Sequence, residues 1–480
     1  MKTQRYITHS IVVLFLFLAG IDPVFSQQGK NINFLRVVPQ SGYTNPAIVA
    51  PYNFYIGFPG LSSLKVEMKN TPFDFDDIVK TNANDSLYLD TQAFLNSLKT
   101  KNYLMAEVTN EFLAFGVRIN QAFISFNLSE KFTGDVMYPK ESISFLVNGN
   151  SQYLGSTVNA GGFDINVTQY HELALGLSYT FNKKISAGFR AKYLLGVFNI
   201  ETKHTDIDIY SPDEFTMVIS TDLEINSTIP GNDVSGDDSL GFNINGNDFF
   251  KGLYSFKNSG LGLDLGVQYM PTEKFTFGLS VTDLGYINWK TDVRNIVSNE
   301  ETSSHTFTGI DISAMFSSDS VKFTDQLNNA LDSLKEDLGI RVTYNKYKSW
   351  LVTKFYLSGI FHLTPKDHFG FLWRGDLFKG HLMPSVTLNY TREFGKAFSM
   401  MAGYTIAKDS YTNFGLGFAV NAGPVQLYLM TDNLLGVVQI TNTRYANTHF
   451  GINLVFGRSK WYNNAQPEVK PPEEEAPTTL

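Results

Sequence analysis

The chain alternates large apolar residues with small or polar ones over most of its length. In residues 261–270, which read LGLDLGVQYM, every second residue is large and apolar, and the pattern restarts after a PTEK turn in FTFGLSVT. Side chains point alternately to the two faces of a β-strand, so each such segment has one apolar and one polar face. Strands of this kind build either a soluble sandwich or the wall of a transmembrane barrel.

Fourteen segments carry this repeat. They are about 55–68, 104–117, 119–129, 170–181, 185–198, 259–270, 274–287, 351–364, 368–378, 382–393, 397–407, 411–421, 424–432 and 447–456. Short turns follow the even-numbered segments, whereas the long connections 69–103, 130–169, 199–258 and 288–350 follow odd-numbered ones. Bacterial single-chain barrels have an even number of strands, short periplasmic turns and long outer loops. The sequence therefore predicts an all-β fold: a transmembrane antiparallel up-and-down β-barrel of about 14 strands, with long extracellular loops and both termini in the periplasm.

The two ends of the chain read differently from the barrel. Residues 1–26 have the features of a secretory signal peptide, with Lys2 and Arg5 ahead of a short apolar run. Residues 27–54 are expected to form an N-terminal periplasmic or lumen plug segment, and 55–457 the barrel, with a helix in the outer loop 288–350. Residues 458–480 are expected to form an acidic, proline-rich periplasmic tail, either a docking arm or a solubilising extension.

Composition excludes several classes of function. The formal net charge of −8 disfavours nucleic acid as a partner, and the absence of cysteine rules out disulfides and a cysteine-linked lipid anchor. No histidine pair has metal-ligand spacing, and His171 and Glu172, being adjacent in a strand, point to opposite faces. The glycines of GLGLDLG lie within a strand and not ahead of a helix, so they form no phosphate loop and rather make room inside a barrel. We therefore predict no catalytic residue, cofactor or metal.

Charged residues inside the predicted strands lie on the polar face, which in a barrel faces the lumen. They are Arg190, Lys192, Asp264, Arg374 and Asp376. A charge facing lipid near the midplane would cost roughly 2–4 kcal/mol, so these five are predicted lumen residues. Asp283 is expected at a strand end, with a structural role.

Three further segments suggest features inside or above the barrel. Asn45, Pro46 and Ala47 precede the first strand and form either a hatch threaded into the lumen or an ordinary lead-in turn. Amphipathic helices are predicted at 319–338 and, with Asp90 as N-cap, at 90–99. Apolar helices in outer loops could provide a hydrophobic entrance site or a lid over the barrel mouth.

Several stretches resemble one family of Gram-negative outer-membrane barrels of unknown function. They are TNPA at 44–47, the run 148–179, AGFRAKYLLG at 187–196, GLDLGVQY at 262–269, SVTDLGYINW at 280–289 and TDNLLG at 431–436. The chain is more distantly similar to the long-chain fatty-acid transporter family and to type IX secretion-associated barrels. The resemblance implies a 14-stranded barrel with an N-terminal segment in the lumen, and it favours the hatch at 45–47. The resemblance does not identify a substrate.

These observations lead to two functional hypotheses for a protein of the outer membrane, in contact with its lipid. The first is passive transport or capture of a small apolar molecule. The alternative is a non-transporting scaffold for secretion or surface-protein attachment, binding periplasmic or secreted protein partners. An enzymatic role is not expected, because no nucleophile and base are arranged together.

Overall fold

The computed structural model describes residues 31–82, 85–231, 247, 251–252, 257–298, 304–307, 333, 335–407 and 410–459. The predicted signal peptide, the tail from residue 460 onwards and most of the predicted loop helix, 319–332 and 334, lie outside these residues.

The strands are, in chain order, β1 Tyr52–Gly57, β2 Leu64–Asn70, β3 Val79–Thr81, β4 Leu87–Leu89, β5 Lys101–Ile119, β6 Ala122–Pro139, β7 Thr157–Asn159, β8 Asp164–Thr180, β9 Ile185–Tyr210, β10 Met217–Thr228, β11 Asn258–Thr272, β12 Phe275–Trp289, β13 Val293–Val297, β14 Ser304–Phe307, β15 Arg341–Thr343, β16 Tyr347–Trp350, β17 Thr353–His362, β18 Asp367–Phe378, β19 His381–Phe394, β20 Phe398–Ala407, β21 Ser410–Ala422, β22 Val425–Thr431 and β23 Tyr445–Arg458. The α-helices are α1 Phe75–Ile78, α2 Thr91–Ser97, α3 Lys140–Asn148 and α4 Leu434–Val438. Single 3-10 turns lie at Asn31–Asn33, Pro39–Tyr43, Ser151–Tyr153 and Ile440–Asn442. None of the described helices has both the length and the apolar character of a membrane span.

Fourteen antiparallel positions close into a barrel. The first position is divided into β1 and β2, which pair with β5 on one side and with β23 on the other, so that the last strand meets the first. The eighth position is divided into β16 and β17, which both pair with β12. Each of the fourteen predicted segments corresponds to one of these positions, and the predicted fold is confirmed.

Several strands run further toward the long-loop end than the sequence predicts. β6 and β9 extend to Pro139 and Tyr210, so the predicted loops 130–169 and 199–258 are partly strand. The extension of β9 is held by β10, which also pairs with β13 and β14 on its other edge. The alternating pattern does not predict these extensions, because a sheet that projects beyond the barrel does not face lipid and needs no apolar outer face.

The wall has the expected two faces. Leu261, Leu265 and Tyr269 of β11 are exposed on the outside, whereas Asp264 and Gln268 between them are buried inside. The predicted helix at 90–99 is α2, and Asp90 caps it by accepting from the Ala93 amide at 2.9 Å.

Residues 31–51, which we call the lumen segment, lie inside the barrel ahead of β1. Their side chains contact inward-facing residues on opposite sides of the wall: Asn45 bonds to β11 and β12, and Gln40 bonds to Asn453 of β23. Nearly all of the segment is buried. The inner core of the molecule is therefore the packing of this segment against the wall.

Candidate functional site

The tripeptide Asn45–Ala47 rests on the inner wall near the short-turn end. The Asn45 side-chain amide donates to the carbonyls of Val267 at 3.1 Å and Leu279 at 3.4 Å, and its oxygen accepts from the Ala47 amide at 2.9 Å. The structure thus places these three residues in the lumen, with Asn45 fixing the local turn and its contact with the wall.

Serine hydroxyls of three strands bind the backbone of the same tripeptide and its neighbour. Ser178 donates to the Pro46 carbonyl at 2.5 Å, Ser186 to the Ala47 carbonyl at 3.3 Å and Ser280 to the Thr44 carbonyl at 2.6 Å. Buried carbonyls need such partners, because an unpaired buried polar group is costly. The wall therefore satisfies the backbone of a segment that has no strand or α-helix of its own.

Glycines of the wall allow the lumen segment to come this close. A β-carbon on Gly266 would lie 2.1 Å from the Asn45 side-chain oxygen, and one on Gly188 would lie 2.3 Å from the Pro46 carbonyl oxygen. Glycine inside a strand often marks a close approach by another backbone. Gly266 belongs to GLGLDLG, so the structure gives this glycine the space-making role that its strand position suggests.

Apolar side chains attach the segment to the opposite part of the wall. Ile32, Leu35, Val37 and Val38 pack against Met401, Ala419, Tyr428 and Met430. Phe34 packs against Tyr356, Ile360 and Leu372. The wall residues in these two groups come from β17 to β22. On the same side Gln426 donates to the Val37 carbonyl at 3.0 Å and Asn389 to the Asn31 side-chain oxygen at 3.0 Å, so apolar packing and hydrogen bonds together hold the segment there.

Seven charged residues form a buried network on the other side of the lumen. We call Lys131, Glu172, Arg190, Lys192, Asp264, Asp283 and Lys354 the charged network. Lys192 Nζ lies 2.6 Å from Asp264, 2.5 Å from Asp283 and 3.5 Å from Glu172. Arg190 binds Asp264 at 2.9 Å, Lys131 binds Glu172 at 2.6 Å and Lys354 binds Asp283 at 3.0 Å. The network therefore links strands from β6 to β17 through side chains alone.

The predicted lumen residues divide between two groups. Arg190, Lys192 and Asp264 meet in the charged network, whereas Arg374 and Asp376 form a separate buried pair with N–O distances of 2.6 and 2.8 Å. Glu172, Lys131 and Lys354 were not among the predicted lumen residues. A signal for Glu172 was present, because it shares a face with the small residues Ala174 and Gly176.

The sequence predicts Asp283 at a strand end, and this prediction is wrong. It lies within β12 at a bulge, where the pairing with β11 shifts register between Leu263 and Leu265. Its φ of 59° is in the left-handed region, which aspartate tolerates better than most residues. The bulge puts both Thr282 and Asp283 on the inner face, which is how Asp283 reaches Lys192 and Lys354.

Tyr43 and Gln40 of the lumen segment contact charged side chains of the wall. The Arg190 guanidinium lies 4.4 Å from the centre of the Tyr43 ring, and the Tyr43 hydroxyl donates to the Glu111 carboxylate. Gln40 also donates to Glu111 at 3.1 Å, and Ser62 does so at 2.7 Å. Burial, and then the nearby Glu111 charge, raises the pKa of Tyr43 well above its ordinary value, so the hydroxyl remains a donor.

Three cavities follow one another on the inner faces of β5 and β6. A cavity of about 110 Å³ lies beside Tyr43 and the charged network, and one of about 50 Å³ shares Glu107, Asp283 and Lys354 with it. A cavity of about 620 Å³, the mouth cavity, is lined at the long-loop end by Lys101, Met137, Pro139, α3 and Tyr153. Since Lys101 and Met137 share a strand face with Met105 and Asp135 of the middle cavity, all three lie along one side of the lumen.

Within the described part of the chain, no three histidine or carboxylate side chains come together in a group that could hold a metal ion.

The sequence matches the model of a family of unknown function, DUF5723, over residues 46–432. The chain belongs to this family. In this DUF5723 chain, four of the short stretches that resemble the barrel family contact the lumen segment, which contains the fifth, residues 44–47. Residues 187–196, 262–269 and 280–289 supply Gly188, Gly266 and Ser280 around residues 44–47. Asp432 in 431–436 accepts from the Asn31 side chain at 2.6 Å, at the other end of the segment.

Solved structures show remote similarity to the DUF5723 chain. The toluene transporter TodX of Pseudomonas putida aligns with a TM-score of 0.39 at 10% identity, covering 90% of this chain and 98% of that one. A FadL homologue of Pseudomonas aeruginosa gives 0.38 at 10%, covering 88% and 94%. The COG4313 outer membrane channel of Pseudomonas putida F1 gives 0.27 at 8%, covering 83% and 97%. Similarity at this level does not assign a function to the DUF5723 chain. A search of curated protein sequences finds no match.

Proposed function

We propose that this protein is an outer-membrane channel that captures a small apolar molecule at its long-loop end and passes it when the lumen segment moves. In this proposal the short turns and both termini face the periplasm, and the lumen segment acts as a plug. The observation that carries the proposal is that the lumen segment fills the closed barrel and is held to the inner wall by non-covalent contacts alone. Cavities lie between this segment and the long-loop end.

The mouth cavity supports an apolar cargo. Its volume of about 620 Å³ is in the range of small-molecule sites, and Met137, Pro139 and Tyr153 contribute apolar surface. The deeper lumen is polar, because the cavity of about 110 Å³ is lined by Lys131, Glu172 and Arg190 among others. A cargo held at the mouth therefore meets a charged barrier before it meets the plug, and this arrangement favours capture followed by gated release.

A scaffold role remains the second candidate, and one observation favours it. β9 and β10 extend beyond the barrel as a sheet whose register reaches Tyr210 and Val218. A projecting sheet provides surface for a protein partner that a simple channel does not require. Pull-down with the isolated extracellular loops would be uninformative, so the full mature chain should be used as bait, with and without residues 460–480.

Single-channel conductance in a planar bilayer tests the channel proposal. The mature chain is compared with a variant lacking residues 27–52 and with a control lacking 460–480, a deletion of similar length at the other end of the sequence. We expect stable open channels only when 27–52 is removed, and uptake of an apolar dye by vesicles to follow the same order. If neither deletion opens a pore, the lumen is not gated by this segment and the scaffold role gains support.

A further inference from the structure

The barrel wall is incomplete at its thirteenth position. β22 has seven residues, fewer than the roughly 9–11 that a strand needs to cross the hydrocarbon. Both neighbours continue past its end: β21 pairs with β22 only from Leu416 onwards although it begins at Ser410, and β23 pairs with β22 only from His449 onwards although it begins at Tyr445. A gap in the wall therefore separates the loop-end parts of β21 and β23.

The helix α4 fills this gap. It packs against both β21 and β23, and Gly436 lies so close to β23 that a β-carbon there would be 2.1 Å from the Tyr445 carbonyl oxygen. The other four residues, Leu434, Leu435, Val437 and Val438, are 39–73% exposed on the outside. A helix satisfies its own backbone, so it can complete a wall at membrane depth where an open strand edge could not.

Side chains rather than a strand ladder attach α4 to the wall. Asn433 caps the helix by accepting from the Gly436 amide at 3.2 Å, and it donates to the Tyr445 carbonyl at 2.7 Å. The described backbone bonds of 434–439 run to near neighbours in the chain, with the Val437 amide donating to Asn433 at 3.3 Å and the Gln439 amide to Leu435 at 2.9 Å. Segments with few backbone bonds to their surroundings open at a lower free energy than the rest of a fold.

Asp432, next to this cap, also binds the lumen segment. Its buried carboxylate accepts from the Asn31 amide at 3.2 Å and from the Asn31 side chain at 2.6 Å. Its other oxygen accepts from Asn447 of β23 at 2.9 Å. Gly403 and Gly415 leave just enough room for Asn31, since β-carbons there would lie 2.3 Å from its side chain. Asn31 of the lumen segment therefore lies directly behind the gap that α4 covers.

We propose that α4 and the lumen segment form one coupled closure, with Asp432 as the joint. The outer face of α4 contacts the acyl chains of the membrane, because it lies where β21 and β23 still form the wall. A change in that contact that loosens α4 then releases Asn31, and removal of Asn31 loosens α4. Coupling between two sites is reciprocal by thermodynamic necessity. This coupling goes beyond the proposed transport and does not depend on the cargo.

Hydrogen exchange of the full mature chain in lipid vesicles tests the coupling from the lumen side. In Asn31→Ala, Asp432 loses the side-chain donor at 2.6 Å and keeps only the backbone amide of residue 31 at 3.2 Å. We expect exchange at 434–439 to become about tenfold faster, as loss of a hydrogen bond to a charged group predicts. Ser280→Ala is the matched control, because it removes a bond to the other end of the segment, at Thr44. Its exchange at 434–439 should be unchanged.

The reverse experiment starts from the wall. Asn433→Ala removes the cap of α4 without touching the lumen segment, and we expect exchange at 32–38 to become about tenfold faster, again as expected for a lost cap and bond. Asp90→Ala, which uncaps the loop helix α2, should leave 32–38 unchanged. The coupling is wrong if Asn31→Ala and Asn433→Ala each affect only their own segment, or if Ser280→Ala accelerates α4 as much as Asn31→Ala. Neither readout requires an open pore, so the result stands whether or not the deletion of 27–52 conducts.

Discussion

The two sides of the lumen hold the same segment by different physical means. From β2 to β18 the inner wall carries buried ion pairs, whereas the described buried residues of β19–β22 include no charged side chain. On the neutral side, apolar residues of the segment pack against Met401, Ala419, Tyr428 and Met430. On the charged side, Tyr43 and Gln40 bind one carboxylate, Glu111.

This difference indicates which bonds would have to break for the segment to move. Lys131, Arg190 and Lys192 find their carboxylates in the wall itself, so the charged network remains paired without the segment. A buried charge that lost its partner would be strongly destabilising. The wall thus keeps its ion pairs separate from the retention of the segment, which on this side rests on hydrogen bonds to Glu111 and to the strands around Asn45.

The largest effect is expected from Asp264→Asn. The change removes the charge that Arg190 and Lys192 share at 2.9 and 2.6 Å, and breaking one side of a buried pair typically costs about 3–5 kcal/mol. We expect a clearly lower unfolding temperature, measured by heat-dependent mobility on a gel. Asp222→Asn, in a partly exposed pair with His204, should change it little. Equal shifts for the two variants would show that the network does not stabilise the wall.

A somewhat smaller effect is expected from Leu35→Ala, and it concerns the segment and not the barrel. Leu35 is fully buried on the neutral side, and such a truncation costs about 2–5 kcal/mol. We expect a higher open probability in bilayers with an unchanged unfolding temperature of the barrel.

Tyr43→Phe is the matched change on the charged side of the segment. It removes the hydrogen bond to Glu111 but leaves those from Gln40 and Ser62, so its effect on open probability should be smaller, at about 1.5–3 kcal/mol for a bond to a charged group. If Tyr43→Phe opens the channel more than Leu35→Ala does, the neutral side is not the main attachment.

The smallest effect is expected from a change at the close contact between the wall and Asn45 of the lumen segment. In Gly266→Ala the new methyl group would overlap Asn45, so we expect the segment to shift and the open probability to rise, although the strand is otherwise unchanged. Gly359→Ala is the control, because its β-carbon would meet only the Phe277 ring at an ordinary 3.8 Å. A similar conductance for the two variants would mean that the close contact at Gly266 does not hold the segment.

The sequence predicts the wall better than it predicts what the wall encloses. Alternation yields the fourteen positions and the inward direction of Arg190, Lys192 and Asp264, because facing lipid imposes a local rule on every strand. Partners across the lumen depend on register and on irregularities such as the bulge at Asp283, which no local pattern reveals. The end of β22 was predicted within a residue, because alternation along the strand stops there. The helix α4 was not predicted, because its place in the wall depends on its contacts with β21 and β23.

The contacts of the lumen segment also determine the order in which the molecule can assemble. Gln40 bonds to Asn453 and Asn31 to Asp432, which are 413 and 401 residues further along the chain. Contacts between such distant residues form late, because the intervening chain must first be brought into place. The lumen segment therefore cannot complete its binding site until the last strands of the chain are in place. Closure of the barrel joins Tyr52 to Arg458, which are about as far apart in the chain, so filling the lumen and closing the wall belong to the same late stage of folding.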